Sequence, residues 1–216
     1  MNIGDFTYRT LRDNIINWNL KPGTMMSEKE VSLELKVSRT PVREAFIKMS
    51  KEGLVDILPQ RGTVVSKIDL KRVEEERFIR ESLELSVFSV AVVDFPKEAI
   101  RTLEENIKEQ IKALKEDKQE SFFRLDEQFH RIIFEACGKE LCWDVIQNVS
   151  GHYKRMRVMT LWNDKSSQLI LDQHELLLDC IKNNDVKSAD VVLKKHLCKL
   201  KDEELEMKKK YPEYFL

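Results

Sequence analysis

Asp126 and His130 stand four residues apart, and His174 and His196 each fall at a helical position on an otherwise apolar stripe. In the first segment the inward positions run Phe123, Asp126, His130, Ile133, Cys137, so carboxylate and imidazole leave one face of a helix. Two later stripes run Ile170, His174, Leu177, Ile181 and Ala189, Val192, Leu193, His196, Leu200. Leaving such groups buried and unpaired costs several kcal/mol. A divalent cation would satisfy all four together, and this donor set suits Zn²⁺, Ni²⁺, Mn²⁺ or Fe²⁺. Taken singly, each histidine also reads as a hydrogen-bonded core residue, and Asp126–His130 as a local ion pair. His152 lies on a stripe of its own (Val145, Val149, His152, Met156, Met159), so periodicity leaves it open as a further ligand.

A second kind of chemistry sits near the N-terminus. Ser38-Arg39-Thr40-Pro41-Val42-Arg43-Glu44-Ala45 concentrates two guanidiniums and two hydroxyls in what reads as the start of a helix. Ser38 suits an N-cap and Pro41 a first helical turn. Arg39 and Arg43, four apart, share a face. A helix start with guanidiniums, hydroxyls and free N–H groups suits phosphates and base edges in a DNA groove. From Lys36 to Lys51 there are five basic residues and one acid, a local +4 in a chain of net charge −1. Residues 1–68 hold 11 basic and 8 acidic residues, and 69–216 hold 26 and 30, so the parts carry +3 and −4. The near-neutral whole therefore hides a basic N-terminal part.

These residues need elements to hold them. Ser27-Glu28-Lys29-Glu30 is a capping box opening a short helix, Lys36-Val37 is a turn, and the Ser38 helix buries Val42, Ala45, Phe46 and Met49. That is a helix-turn-helix. A further helix precedes it, marked by Phe6, Leu11, Ile15, Ile16 and Leu20 and stopped by Pro22-Gly23. Leu54–Leu58 and Thr63–Ser66 read as two strands around a Pro59-Gln60-Arg61-Gly62 tip, a wing that carries Arg61 toward the minor groove. Beyond Asp69 helical periodicity continues nearly unbroken, over about 69–93, 96–115, 120–137, 140–161, 167–183 and 185–209. Pro96 fits a first helical position, Gly138 a C-terminal cap and Asp185 an N-cap. The fold class expected is mainly α: a winged helix-turn-helix over 1–68, then an all-helical bundle over 69–216.

At 216 residues one or two domains are expected. No 18-residue apolar run predicts a membrane span, and no basic-then-apolar leader opens the chain. Cys137, Cys142, Cys180 and Cys198 lack C-x-x-C spacing and read as reduced thiols of a cytoplasmic protein. No Gly-rich phosphate loop or G-x-S-x-G is present.

Leu20-Lys21-Pro22-Gly23, Ser27–Glu30, Val37–Ala45, Glu52-Gly53-Leu54-Val55 and Arg61-Gly62-Thr63 together resemble the GntR family of bacterial transcription regulators. The resemblance implies DNA contacts from Lys29, Ser38, Arg39, Thr40 and Arg43, with Arg61 and Gly62 on the wing. Arg80-x-x-Leu83-Glu84, Asp126-x-x-Phe129-His130, Gly138, Gln173-His174-x-x-Leu177-Leu178 and Asn184-Asp185 through His196-Leu197 resemble the FCD effector domain of the FadR subgroup. This implies a metal held by Asp126, His130, His174 and His196, with zinc or nickel expected first, and a small organic acid as effector. Two departures concern the surroundings of the metal. Lys139 follows Gly138 where the family commonly has Asn, and Gln173 stands where it commonly has Glu.

The expected function is a ligand-responsive regulator, not an enzyme: a homodimer that binds operator DNA and takes a carboxylate effector beside the metal. Arg80 is the candidate effector ligand. Arg155 and Arg157 are further candidates, but surface charge or ion pairing between helices is the preferred reading for both. The alternative is a metal-dependent hydrolase using the Asp/His cluster. It lacks a separate general base and leaves residues 8–66 unexplained. A metal that only staples the bundle is a third reading.

Overall fold

The structure, a computed structural model, describes residues 2–161, 164–198 and 200–216, without the side chains of 164–166 and 200–202. The N-terminal part contains α1 (Ile3–Ile16), β1 (Met25–Met26), α2 (Glu28–Glu34), α3 (Arg39–Lys51), β2 (Val55–Leu58) and β3 (Gly62–Val65). Asn2 caps α1 by accepting from the Asp5 amide at 2.7 Å. Ser27 caps α2, accepting from the Glu30 amide at 3.1 Å and donating its hydroxyl to the Glu30 carboxylate at 2.8 Å. Ser38 stands at the N-cap of α3 in extended conformation, but its hydroxyl makes no capping bond. Val42, Ala45, Phe46 and Met49 are buried as the spacing requires.

The sheet has three strands in the order β1-β3-β2, all antiparallel, with Val55 opposite Val65 and Leu58 opposite Gly62. β1 escapes sequence reading because two residues are too few to show alternation. Gly62 has φ +107°, and a Cβ there would meet the Met26 carbonyl oxygen at 2.9 Å. Only glycine lets the wing close on β1.

The second part is helical: α4 (Leu70–Ala91), α5 (Lys97–Lys115), α6 (Gln119–Ala136), α7 (Glu140–Val149), α8 (Gly151–Thr160), α9 (Asp164–Asn183), α10 (Val186–Cys198) and α11 (Leu200–Lys210). One expected helix is divided. The 140–161 segment breaks at Ser150, which caps α7 and opens α8. The 185–209 segment is described as α10 and α11 on either side of residue 199, which lies outside the described residues. The side chain of Leu200, expected on its stripe, lies outside the described residues. Pro96 is the N-cap of α5, one position before the expected place. Asp185 caps α10 through the Ser188 amide at 3.0 Å, and Gly138 follows α6 with φ +64°.

In the bundle α5 packs on α6 and α9, and α10 on α9 and α4, while α8 packs on α4, α11 and α1. One apolar core runs from Leu11, Ile15 and Phe46 through to Phe88, Phe129 and Leu177. A smaller cluster of Trp18, Ile68, Val73, Tyr153, Met156 and Phe215 fills the junction of the two parts. Ile68 forms an isolated parallel bridge with Phe215 near the C-terminus. No described helix is long and apolar enough to cross a membrane.

Candidate metal centre and nucleic-acid interface

Three helices deliver the four side chains that the stripes single out. Asp126 and His130 come from α6, His174 from α9 and His196 from α10. All four are buried, and one ligand atom from each lies within 4.8 Å of every other. His152, left open by periodicity, is elsewhere. Its Nδ1 accepts from the Asp69 amide at 3.1 Å at the junction of the two parts.

Each imidazole has its Nδ1 against an oxygen. His130 Nδ1 lies 2.8 Å from Glu84 Oε2, His174 Nδ1 2.8 Å from Gln110 Oε1, and His196 Nδ1 3.0 Å from Gln173 Oε1. At His174 and His196, where that contact is a hydrogen bond, an Nδ1–H pointed at oxygen leaves Nε2 with a bare lone pair on a neutral ring. Burial favours that neutral form. It pushes His174 down to about 3 and His196 well below its ordinary value. His130 Nε2 and His196 Nε2 then face each other across 3.1 Å. Without a cation, one of the two rings can donate to the other across that gap. Two imidazole ligands of one cation, each about 2.1 Å from it, sit about 3 Å apart. His174 Nε2 and Asp126 Oδ1 are buried without a hydrogen-bond partner, 3.6 Å from each other. The residues present therefore fit a divalent cation.

The charges around this cluster are paired. Burial raises the Asp126 carboxyl, but the guanidinium of Arg157, with Arg80 beyond it, outweighs this and holds the group below its ordinary range. Arg157 bonds Asp126 Oδ2 and Glu127 Oε1. Glu127 also takes Arg80 at 2.9 Å and Lys154 at 2.9 Å. Arg80 reaches Glu84 at 2.5 Å. A cavity opens beside Asp126 and His196, with Arg157 on its wall and Phe123, Tyr153 and Ile170 as apolar sides. The cavity is small and only partly open. Arg80, the expected effector residue, is buried behind Glu84 and Glu127 and is not among the lining residues. Arg157 lines the cavity and also carries the ion pairs between helices. Arg155 is no surface charge: it is fully buried and bonds Ser66.

Lys29, Ser38, Arg39, Thr40, Arg43 and Arg61 are exposed on the N-terminal part, and Gly62 is half-buried at the wing. The first five lie on α2 or at the start of α3. The Arg43 fork grips Glu28 of α2, with Nε at 2.7 Å from one carboxylate oxygen and Nη2 at 2.8 Å from the other. Arg61 sits at the turn between β2 and β3, where Gln60 has φ +60°. Exposed guanidiniums and an uncapped helix start form a cationic edge suited to a phosphate backbone.

Comparison with known proteins finds a match in each part of the chain. Residues 4–65 match the profile of bacterial regulatory proteins of the gntR family, and residues 77–198 match that of the FCD domain. The HTH-type transcriptional repressor RspR of Escherichia coli (strain K12) is 33% identical over 208 residues, 96% of this chain and 91% of that protein. The chain belongs to the GntR family. It is a bacterial DNA-binding transcription regulator with an FCD domain. The gluconate operon transcriptional repressor of Bacillus subtilis (strain 168) is 28% identical over 182 residues, 81% of this chain and 74% of that one. Among solved structures, E. coli McbR/YncC superposes with TM-score 0.81 at 18% identity, covering 94% of this chain and 99% of that one. A GntR regulator from Rhodococcus sp. RHA1 gives 0.80 at 19%, covering 94% and 97%. These show that the fold is shared.

Within this GntR-family chain, sequence reasoning missed Glu127, Asn106 and Gln110. A signal was present: Asn106 and Gln110 stand four apart on the buried stripe of α5, among Leu103, Ile107 and Ala113. Gln173, noted as a departure from the family, is the residue that faces His196.

Proposed function

We propose that the FCD domain holds one divalent cation through Asp126, His130, His174 and His196, and that a small carboxylate bound beside it sets how tightly the N-terminal part grips operator DNA. The observation that carries this reading is the convergence of buried donors: His174 Nε2 and Asp126 Oδ1 have no hydrogen-bond partner, and His130 Nε2 and His196 Nε2 face each other 3.1 Å apart beside them. Neutral imidazole with carboxylate suits zinc or nickel. The bound cation supplies a Lewis-acid position for an anionic ligand. Arg157 supplies the complementary guanidinium on the cavity wall, and Arg80 holds Glu84 and Glu127 in place from behind.

The DNA contacts of this reading are Lys29, Ser38, Arg39, Thr40, Arg43, Arg61 and Gly62. Residues 1–68 are the DNA-binding domain and 69–216 the effector domain. The working unit is a homodimer in the cytoplasm, because one recognition helix spans too few base pairs for useful specificity. No residue of the cluster is positioned as a separate general base, so a hydrolase reading gains nothing from the site.

The test is a titration of DNA from upstream of the chain's own gene with purified protein, with and without stoichiometric zinc and a panel of short carboxylic acids. The expected result is a retarded complex of two chains per site whose affinity shifts with a carboxylate only when metal is present. Equal affinity in all conditions would remove the effector reading.

A further inference from the structure

We propose that Asn106 and Gln110 on α5 are positioning residues that lock the His174 ring in the tautomer able to bind the metal. The inference rests on the metal-centre reading above and adds the device that prepares one of its ligands.

The argument starts at a group with no choice. The Leu125 main-chain carbonyl can only accept a hydrogen bond. Asn106 Nδ2 donates to it at 3.1 Å, which fixes the Asn106 amide with Oδ1 turned the other way. Gln110 Nε2 donates to that Oδ1 at 2.7 Å, so Gln110 must present Oε1 at its far side. That oxygen is 2.8 Å from His174 Nδ1. An amide oxygen accepts only, so Nδ1 carries the proton of the neutral ring and Nε2 is bare. Each amide orientation follows from the one before, and the backbone anchors the first, which removes the usual ambiguity of amide and imidazole assignment. Phe129 stacks on the ring at 4.2 Å between centroids and 14° between planes, fixing its tilt.

The relay also ties two ligands together. Leu125 directly precedes Asp126, so the chain of bonds runs from the backbone beside one ligand on α6, through α5, to a second ligand on α9. Gln110 is 0% and Asn106 5% exposed, on a stripe where leucine would pack as well. Packing gives no reason for two amides there. His130 differs in facing the Glu84 carboxylate. At His174 the amide controls the tautomer without adding another negative charge beside Asp126 and Glu84.

The test uses the full chain and zinc as the probe. Zinc affinity is measured by competition with a chromophoric chelator for the wild type, Gln110→Leu and Gln110→Glu. The ring nitrogens of His174 are read by ¹⁵N NMR in the metal-free protein. Gln110→Leu should bind zinc about 10–100-fold more weakly. Gln110→Glu, which keeps an acceptor against Nδ1, should recover most of that loss. The metal-free wild type should show His174 protonated at Nδ1, and Gln110→Leu a mixture of tautomers. Wild-type zinc affinity in Gln110→Leu, or His174 protonated at Nε2 in the wild type, would overturn the proposal. If the wild type binds no zinc, the metal-centre reading fails while the tautomer measurement still decides the relay. The same measurement decides it if Gln110→Leu does not fold.

Discussion

Arg155 Nη1 donates to the main-chain carbonyl of Ser66 across 2.6 Å, joining the middle of α8 to the segment that leaves the wing. Two residues further along the same helix, Arg157 bonds Asp126. Nine of the ten residues of α8 are buried, so this short cationic helix has the candidate metal centre at one side and the DNA-binding part at the other. Trp18 Nε1 donates to the Arg155 carbonyl at 2.9 Å, and Arg12 reaches the Gln147 carbonyl at 2.7 Å. A Cβ on Gly151 would stand 2.8 Å from Leu54 Cδ2, so the helix start is seated against the base of β2.

Arg155→Met keeps much of the volume and removes the donors. The Ser66 carbonyl is left unsatisfied, at a cost of about 1–3 kcal/mol. Operator binding should persist while its response to metal and carboxylate is lost. Thermal melting and gel-shift titrations with and without zinc check both halves. An unchanged response would show that coupling bypasses this contact.

Arg43→Ala should weaken operator binding by more than about 1 kcal/mol, the scale of one good base contact. The residue is exposed on α3 and packs no core, so the melting temperature should hardly move. Wild-type affinity in a gel-shift titration would remove Arg43 from the interface.

His174→Ala, or a chelator, should lower the melting temperature. A cation bound by α6, α9 and α10 stabilises the folded state by mass action, about 2.7 kcal/mol at a hundredfold excess over Kd. Basal DNA binding should survive in part, since no ligand lies in the winged helix. A melting temperature indifferent to added zinc would leave the four residues as a hydrogen-bond network.

Stability should also report Glu76. Burial pushes its carboxyl up to about 7, against the Tyr153 amide, which bonds it at 2.8 Å, and Arg72, with Arg155 adding a lesser pull. The folded value lies above the unfolded one, so below about pH 4.5 the group is protonated in both states. As pH rises toward 7 the unfolded chain releases that proton first, and stability falls by about 3 kcal/mol. His152 works oppositely: burial lowers it to about 3, so it costs stability as pH falls below 6.5. Glu76→Gln should therefore gain on the wild type between pH 5 and 7 in paired melting curves. Parallel curves would show that Glu76 titrates normally.

Much of the fold is legible because it is written in local rules. The Ser27 box, the α3 stripe and the Asp126–His130 spacing depend on neighbours within a turn or two. The break at Ser150 had only the Ser150-Gly151 dipeptide to mark it, a weak signal beside flanking stripes that stay helical. The partners of the site were hidden for another reason. Arg155 meets Ser66 across 89 positions and His174 meets Gln110 across 64. Periodicity shows that a side chain points inward and is silent on what it meets. For Arg155 it offered surface charge or an ion pair between helices, where a buried carbonyl holds the guanidinium instead.

The Arg43–Glu28 fork gives the chain an internal rival for DNA. A phosphate or guanine must displace a carboxylate already seated on both guanidinium nitrogens. Added salt weakens the contact to DNA and loosens this competitor at the same time. The slope of log affinity against log salt, read as a count of neutralised phosphates, will therefore undercount the contacts of the wild type. The count should come closer to the true number in Glu28→Gln.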